Sequence, residues 1–136
     1  MSDKFQNYTA LVVEDDASGL AIISVMLRRL GLRTIMERYA SSALERVKKM
    51  PRVDVIFLDL GLPDGDGYDV LKEIKSEPSL NQVPVIAVTA RDASTEMSKA
   101  QEAGFDGFLG KPLNRNRFPD QVRRIIEGES VWETYR

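Results

Sequence analysis

The run Val53-Asp54-Val55-Ile56-Phe57-Leu58, followed by Asp59 and then Leu60-Gly61-Leu62-Pro63-Asp64-Gly65-Asp66-Gly67, decides the fold. A short apolar run flanked by helical patterns reads as a strand buried on both faces of a parallel sheet. Such sheets place ligands just beyond the carboxyl ends of their strands, where Asp59 falls. Three further runs repeat the design: Ala10 to Val13 ends on Glu14-Asp15-Asp16, Val83 to Val88 ends on Thr89, and Phe108-Leu109 leads to Lys111. Thr34 to Glu37 is a weaker strand. A carboxylate cluster, a hydroxyl and an ammonium therefore converge on one crevice, a combination suited to a divalent cation and a phosphoryl group.

Helical patterns fill the gaps between the strands. Ser18 to Leu30 is helical and stops at Gly31, in the position of a left-handed cap. Ser42 to Met50 opens with the capping-box spacing Ser42-x-x-Glu45 and closes before Pro51. Tyr68 to Ser76 and Ser94 to Ala103 follow, the latter ended by Gly104, and a last helix runs to about Glu127. Pro119 conflicts with a last helix capped by Asn114. Either the helix starts later, with Pro119 in its first turn, or a 3₁₀ turn precedes it. The alternation predicts an α/β fold, a doubly wound five-stranded parallel sheet with five helices and right-handed crossovers.

Composition narrows the chemistry. With 136 residues the chain fits one domain. It has no cysteine and no histidine, which removes disulfides, zinc-thiolate sites and imidazole catalysis and leaves oxygen as the metal ligand. A net charge of -2 argues against a dedicated nucleic-acid binder. No apolar stretch reaches bilayer-spanning length, and Met1 to Tyr8 lacks a signal-peptide core, so a cytoplasmic location is expected.

Each candidate residue has an ordinary structural explanation. Glu14, Asp15 and Asp16 suit a helix N-terminus, Asp59 a turn, Thr89 a strand end, and Lys111 a solvated surface. The conjunction carries the argument: all four occur in order, each at the end of its own strand.

These motifs, Val12-Val13-Glu14-Asp15-Asp16, Asp59 to Gly67, Val88-Thr89-Ala90 and Gly104 to Pro112, resemble those of response-regulator receiver domains in the single-domain, chemotaxis-regulator form. The resemblance spans roughly Thr9 to Glu127. It implies a flavodoxin-like sheet of order 2-1-3-4-5, a receiver domain over 9–127 after an extension 1–8, and a tail 128–136 with no effector domain. Asp59 is the implied phosphoacceptor, loaded from a phosphohistidine. Mg²⁺ (or Mn²⁺) is expected on Asp15, Asp59 and the Gly61 carbonyl, with Glu14 acting through water. Thr89, Ala90 and Lys111 are the implied phosphoryl-binding residues. Thr89 and Phe108 form the implied switch, and the bond before Pro112 is a candidate cis peptide. The implied function is a signalling switch rather than an enzyme.

Two positions bear on phosphoryl lifetime by the same resemblance: Gly61, with no side chain to orient water, and Arg91, placed to shield the group. Slow self-dephosphorylation is the expectation. The implied partners are a sensor histidine kinase or a histidine phosphotransfer protein, docking on the exposed pair Ile22 and Val25 of the first helix. A downstream protein is expected on the face of the fourth helix, fifth strand and fifth helix, with a weak homodimer as a further option. Neither nucleic acid nor membrane is an expected partner. Val131-Trp132 and Tyr135 in the tail fit fraying, packing back or partner binding alike. Alternatives are a phosphorylation-independent adaptor and an aspartate-nucleophile phosphatase; Gly61 speaks against the phosphatase, which usually has a second aspartate there. A flavodoxin-type cofactor site is weaker, since Glu14 to Asp16 repel phosphate.

Overall fold

The runs of β-branched and apolar residues form strands, as their pattern demands: β1 (Thr9–Val13), β2 (Arg33–Glu37), β3 (Val55–Leu58), β6 (Val85–Thr89) and β7 (Gly107–Gly110). The computed structural model describes residues 5–134. Two two-residue strands, β4 (Gly61–Leu62) and β5 (Gly65–Asp66), make a small antiparallel hairpin directly after Asp59, and β8 (Trp132–Glu133) follows the last helix. The main sheet runs β2-β1-β3-β6-β7-β8 with every pair parallel.

Helices α1 (Ala17–Arg29), α2 (Ala40–Lys48), α3 (Gly67–Lys75), α4 (Ala93–Ala103) and α5 (Phe118–Ile126) cover both faces. Side chains alternate across the sheet, as period-two geometry requires. Leu11, Val13, Ile56, Leu58, Val85, Ala87 and Phe108 join α2, α3 and α4 in one core. Ala10, Val12, Val55, Phe57, Ile86, Val88 and Leu109 join α1 and α5 in the other, which also buries Phe5. The strand order of the expected sheet is confirmed, with one strand more. Gly128, at φ 95°, turns the chain after α5 so that Val131 is buried and its carbonyl accepts from Phe108 N–H at 2.7 Å.

One local expectation needs correction, and the alternative left open at Pro119 is decided in favour of a helix that starts later. The Ser42-x-x-Glu45 capping box does not form, because α2 begins two residues earlier, at Ala40. Its cap comes from a distant residue: the Asp64 carboxylate accepts from Ala40 N–H at 2.7 Å and Ser41 N–H at 3.0 Å, and the Ser41 hydroxyl, with these N–H groups, holds its carboxyl below the ordinary carboxylate pKa. Asp66 caps α3 in turn, accepting from Tyr68 N–H at 2.9 Å. At the other end Asn114 closes a turn before α5 rather than the helix itself, and Pro119 lies in the first turn of α5, where a missing N–H costs nothing. Gly31 and Gly104 take the left-handed cap conformations expected of them, at φ 97° and 106°.

Candidate functional site

The site is assembled by strand ends that finish level with one another. Asp59 N–H donates to the Val13 carbonyl at 3.0 Å, and Glu14 N–H to the Glu37 carbonyl at 2.9 Å, locking the tips of β3, β1 and β2 together. Carboxylate oxygens of Glu14, Asp15 and Asp59 come within 4.8 Å of one another. Asp16 does other work: it caps α1 by accepting from Gly19 N–H at 2.8 Å, and its own N–H donates to Glu14 at 3.1 Å.

Three clustered carboxylates repel. Two unit charges 4.8 Å apart cost about 3.5 kcal/mol at an effective dielectric of about 20. Lys111, at the end of β7, offsets part of this: its Nζ lies 3.3 Å from Asp59 Oδ2 and closer still to Glu14 Oε1. Burial pushes the Glu14 carboxyl up in spite of the Lys111 hydrogen bond. Burial opposes the Lys111 charge too, but the Glu14 hydrogen bond and the Asp59 charge outweigh it and push its pKa above the ordinary lysine value. One ammonium thus faces three carboxylates, and the carboxylate of Asp15 makes no ion pair among the described residues.

That surplus negative charge is what a hard cation would neutralise. The donor set is oxygen only and converges from two strand ends, which fits Mg²⁺ with water completing its shell. Gly61 adjoins the cluster through its N–H, which donates to Asp59 Oδ1 at 3.2 Å.

Thr89 is 2% exposed at the tip of β6, and its carbonyl accepts from Lys111 N–H at 2.8 Å, while its Oγ1 accepts from Arg91 N–H at 3.2 Å. Ala90 is exposed beside it. Phe108 is wholly buried. The Lys111–Pro112 peptide is cis. Glu14, Asp15, Asp59 and Lys111 are therefore in direct association, and Thr89 and Gly61 are joined to them through the backbone. Ile22, 42% exposed, shares with Glu14, Asp59 and Lys111 the wall of a hollow of about 260 Å³. Val25, 45% exposed, lies outside this hollow, in a neighbouring one with Arg29, Arg115 and Pro119.

One constellation was not visible in the sequence. The Arg91 guanidinium reaches back over the loop after β3, donating to the Leu60 carbonyl at 3.3 Å and standing 3.7 Å from Asp66 and 3.4 Å from Glu96. Buried Glu96 also accepts from Tyr68 O–H at 2.6 Å. Burial, and then that carboxylate, push the phenol well up. An added Cβ at Gly61 would stand 3.8 Å from Arg91 Nη2, in ordinary van der Waals contact, so the guanidinium lies directly over this position. Nothing in local sequence links Tyr68 on α3 with Glu96 on α4 and Arg91 in the loop before it.

The profile of a family described as the response regulator receiver domain matches residues 10–123. The chain is 35% identical over 109 residues to "Stress response regulator protein 1" of Candida tropicalis, covering 79% of this chain and 41% of the relative. It is 33% identical over 115 residues to the "Two-component response regulator ORR7" of Oryza sativa subsp. japonica, covering 85% of this chain and 53% of the relative. The chain thus spans about half the length of these curated relatives. Among solved structures it is similar to the receiver domain of the sensor histidine kinase PA1611 from Pseudomonas aeruginosa PAO1, described with a magnesium ion coordinated in its active-site cleft. The TM-score is 0.80 at 30% identity, covering 89% of this chain and 98% of that one.

Proposed function

The chain belongs to the response-regulator receiver-domain family, and from that premise we propose that it is a phosphorylation-controlled switch of two-component signalling with Asp59 as phosphoacceptor. The observation that carries this is the placement of Asp59: a buried carboxylate at the tip of a central strand, flanked by Glu14, Asp15 and the Lys111 ammonium. A rigid nucleophile beside an ammonium and a cation-binding carboxylate pair is what phosphoryl transfer asks for, since that chemistry depends on positioning and charge neutralisation.

In this reading an Asp59 carboxylate oxygen attacks phosphorus, an O–P bond forms, and the N–P bond of a partner's phosphohistidine breaks to release its imidazole. Asp15, Asp59 and the Gly61 carbonyl would hold Mg²⁺, with Glu14 acting through water. When bound, the ion supplies charge neutralisation for the phosphoryl oxygens. Lys111 exchanges its Asp59 contact for a phosphoryl oxygen. The Thr89 hydroxyl and the Ala90 N–H donate to the others, and Phe108 reports the shift of Thr89 to the face formed by α4, β7 and α5. Ile22 supports docking of a sensor kinase or phosphotransfer protein beside the site, with Val25 extending that surface. We assign the receiver to residues 9–127, working in the cytoplasm and passing its state on by partner binding.

Intact mass after incubation with acetyl phosphate, with and without Mg²⁺, tests this. One added phosphoryl group that requires Mg²⁺ and is absent in Asp59→Asn is the expected result. Protein that stays unmodified with both acetyl phosphate and a phosphohistidine donor would overturn it in favour of a phosphorylation-independent adaptor.

A further inference from the structure

The outer edge of β7 carries a groove that the phosphoryl site does not use. β8 lies along it with Trp132 opposite Phe108 and Glu133 opposite Leu109. Close approach is built into β7: a Cβ on Gly107 would stand 2.7 Å from the Val131 carbonyl oxygen, and one on Gly110 would stand 3.3 Å from Thr134 Cα. Val131 is fully buried in the α1 and α5 core, while Trp132 packs against the opposite one. The next side chain, Glu133, receives three donors from one wall. Arg117 Nη2 and Gln121 Nε2 reach Oε1 at 2.8 and 2.9 Å, and Arg124 Nη1 reaches Oε2 at 2.9 Å. The tail leaves this pocket incompletely answered: Gln121 Oε1 is buried without a hydrogen-bond partner among the described residues.

We propose that the β7 edge, walled by α5, is a strand-acceptor groove for an extended segment of a partner protein bearing an apolar residue, an aromatic and a carboxylate in succession, and that this chain's own Val131-Trp132-Glu133 occupies it as a competitor. Strand addition takes its affinity from backbone hydrogen bonds and its specificity from side-chain pockets. Here the backbone edge is β7, the pockets are those of Val131 and Trp132, and the charge reader is Arg117, Gln121 and Arg124. The backbone pairing of a two-residue strand is slight by itself, so β8 is held by its buried side chains and the bonds to Glu133, which a matching segment would reproduce. Tethering keeps it in place through a high effective concentration, so a partner wins only where its own segment binds better or is itself concentrated nearby. The proposal does not depend on the chemistry of Asp59.

The test uses the full chain and a fluorescent peptide of sequence Glu129-Ser130-Val131-Trp132-Glu133-Thr134, followed by anisotropy. Glu133→Arg sets a cation against Arg117 and Arg124 and vacates the groove without altering it. Trp132→Ser is a second route to the same state should the first variant fold poorly. Either variant should bind the peptide at least about tenfold more tightly than the wild type, because the tethered competitor is gone. A peptide with glutamine in place of the glutamate should bind more weakly to the variants. The Phe108 amide, held by Val131 in the wild type, should exchange faster in the variants and slow again with peptide. Equal peptide affinity of wild type and variants overturns the proposal, as does binding indifferent to the peptide's glutamate. Concentration-dependent dimerisation of the wild type that Glu133→Arg abolishes would make a second copy the occupant and overturn the choice of a separate partner.

Discussion

Lys111 and Asp59 stand 3.3 Å apart, ammonium nitrogen to carboxylate oxygen, across 52 residues of sequence. The pair is part of an over-charged cluster, so its two members have opposite effects on stability. Lys111→Ala leaves three carboxylates without their cation and should cost about 1–3 kcal/mol in Mg²⁺-free urea unfolding, with added Mg²⁺ restoring part of the loss. Asp59→Asn removes one repelling charge and should raise the urea midpoint in the absence of Mg²⁺ while abolishing phosphorylation. A destabilised Asp59→Asn protein would contradict the idea that repulsion is stored there.

Arg91 lies over the loop that carries Leu60 and Gly61, held by Glu96. It should therefore slow water attack on a phosphorylated Asp59. Loss of one charge-assisted hydrogen bond of about 1.5 kcal/mol corresponds to about a tenfold faster decay in Arg91→Ala. Glu96→Gln and Tyr68→Phe, which only position Arg91, should each give a smaller acceleration. Decay of the phosphorylated mass species measures all three. A wild-type lifetime of seconds, unchanged by Arg91→Ala, would remove this role.

Gly67 starts α3 against the loop after β3. A Cβ there would lie 2.6 Å from the Asp59 carbonyl oxygen and 2.8 Å from Leu60 Cα, both backbone atoms. Gly67→Ala should cost about 1–3 kcal/mol by overpacking and slow acetyl phosphate loading, because the displaced atoms are the backbone of the phosphoacceptor and of the residue after it. Loading at the wild-type rate would show that the loop can yield without moving the carboxylate.

Glu133 makes the docking of β8 acid-sensitive. Hydrogen bonds from Gln121 and Arg124 hold its carboxyl below its ordinary value of 4.5. A lowered folded value means the stabilisation is complete above the unfolded value and is lost as pH falls through the folded one. Arg117 and Arg124 face this carboxylate, and Asp120 and Glu129 share Arg124 with it. Emission from Trp132, the sole tryptophan, should accordingly hold steady above about pH 4.5 and shift towards that of a solvated indole at lower pH. In Glu133→Gln this transition should be missing or displaced.

Ile22→Lys places a charge on the exposed wall of the hollow beside Asp59. Transfer from a cognate phosphohistidine donor should fall sharply while acetyl phosphate loading persists. Equal loss of both would mean the substitution damages the site rather than a docking surface.

The parts legible from sequence were those encoded locally. Short apolar runs ending on Glu14, Asp59, Thr89 and Lys111 gave strands whose polar tips meet, and Gly31 and Gly104 marked helix ends because only a left-handed residue closes them so. What escaped was encoded across distance. Ser42 and Glu45 have the spacing of a capping box, yet Asp64 caps α2 from 24 residues away. Tyr68 and Glu96 look like ordinary surface residues, and the ties of Arg91 to Glu96 and Asp66 stay hidden, until α3 and α4 are set side by side. β8 was hidden for a related reason: Val131-Trp132-Glu133 is too short to show a period, and it becomes a strand only because β7 offers an edge, α5 offers Gln121 and Arg124, and Arg117 stands at the start of that helix.

The hairpin after Asp59 caps two helices from one turn, α2 through Asp64 and α3 through Asp66. By composition, Pro63 to Gly67 is where a protein engineer would first splice an epitope tag or a circular-permutation break. An insertion between Asp64 and Asp66 would instead uncap two helices at once, at the end of the sheet where Asp59 lies. Tags belong elsewhere, in the turn around Gly31 or the segment Glu77 to Asn81, whose neighbours cap nothing distant.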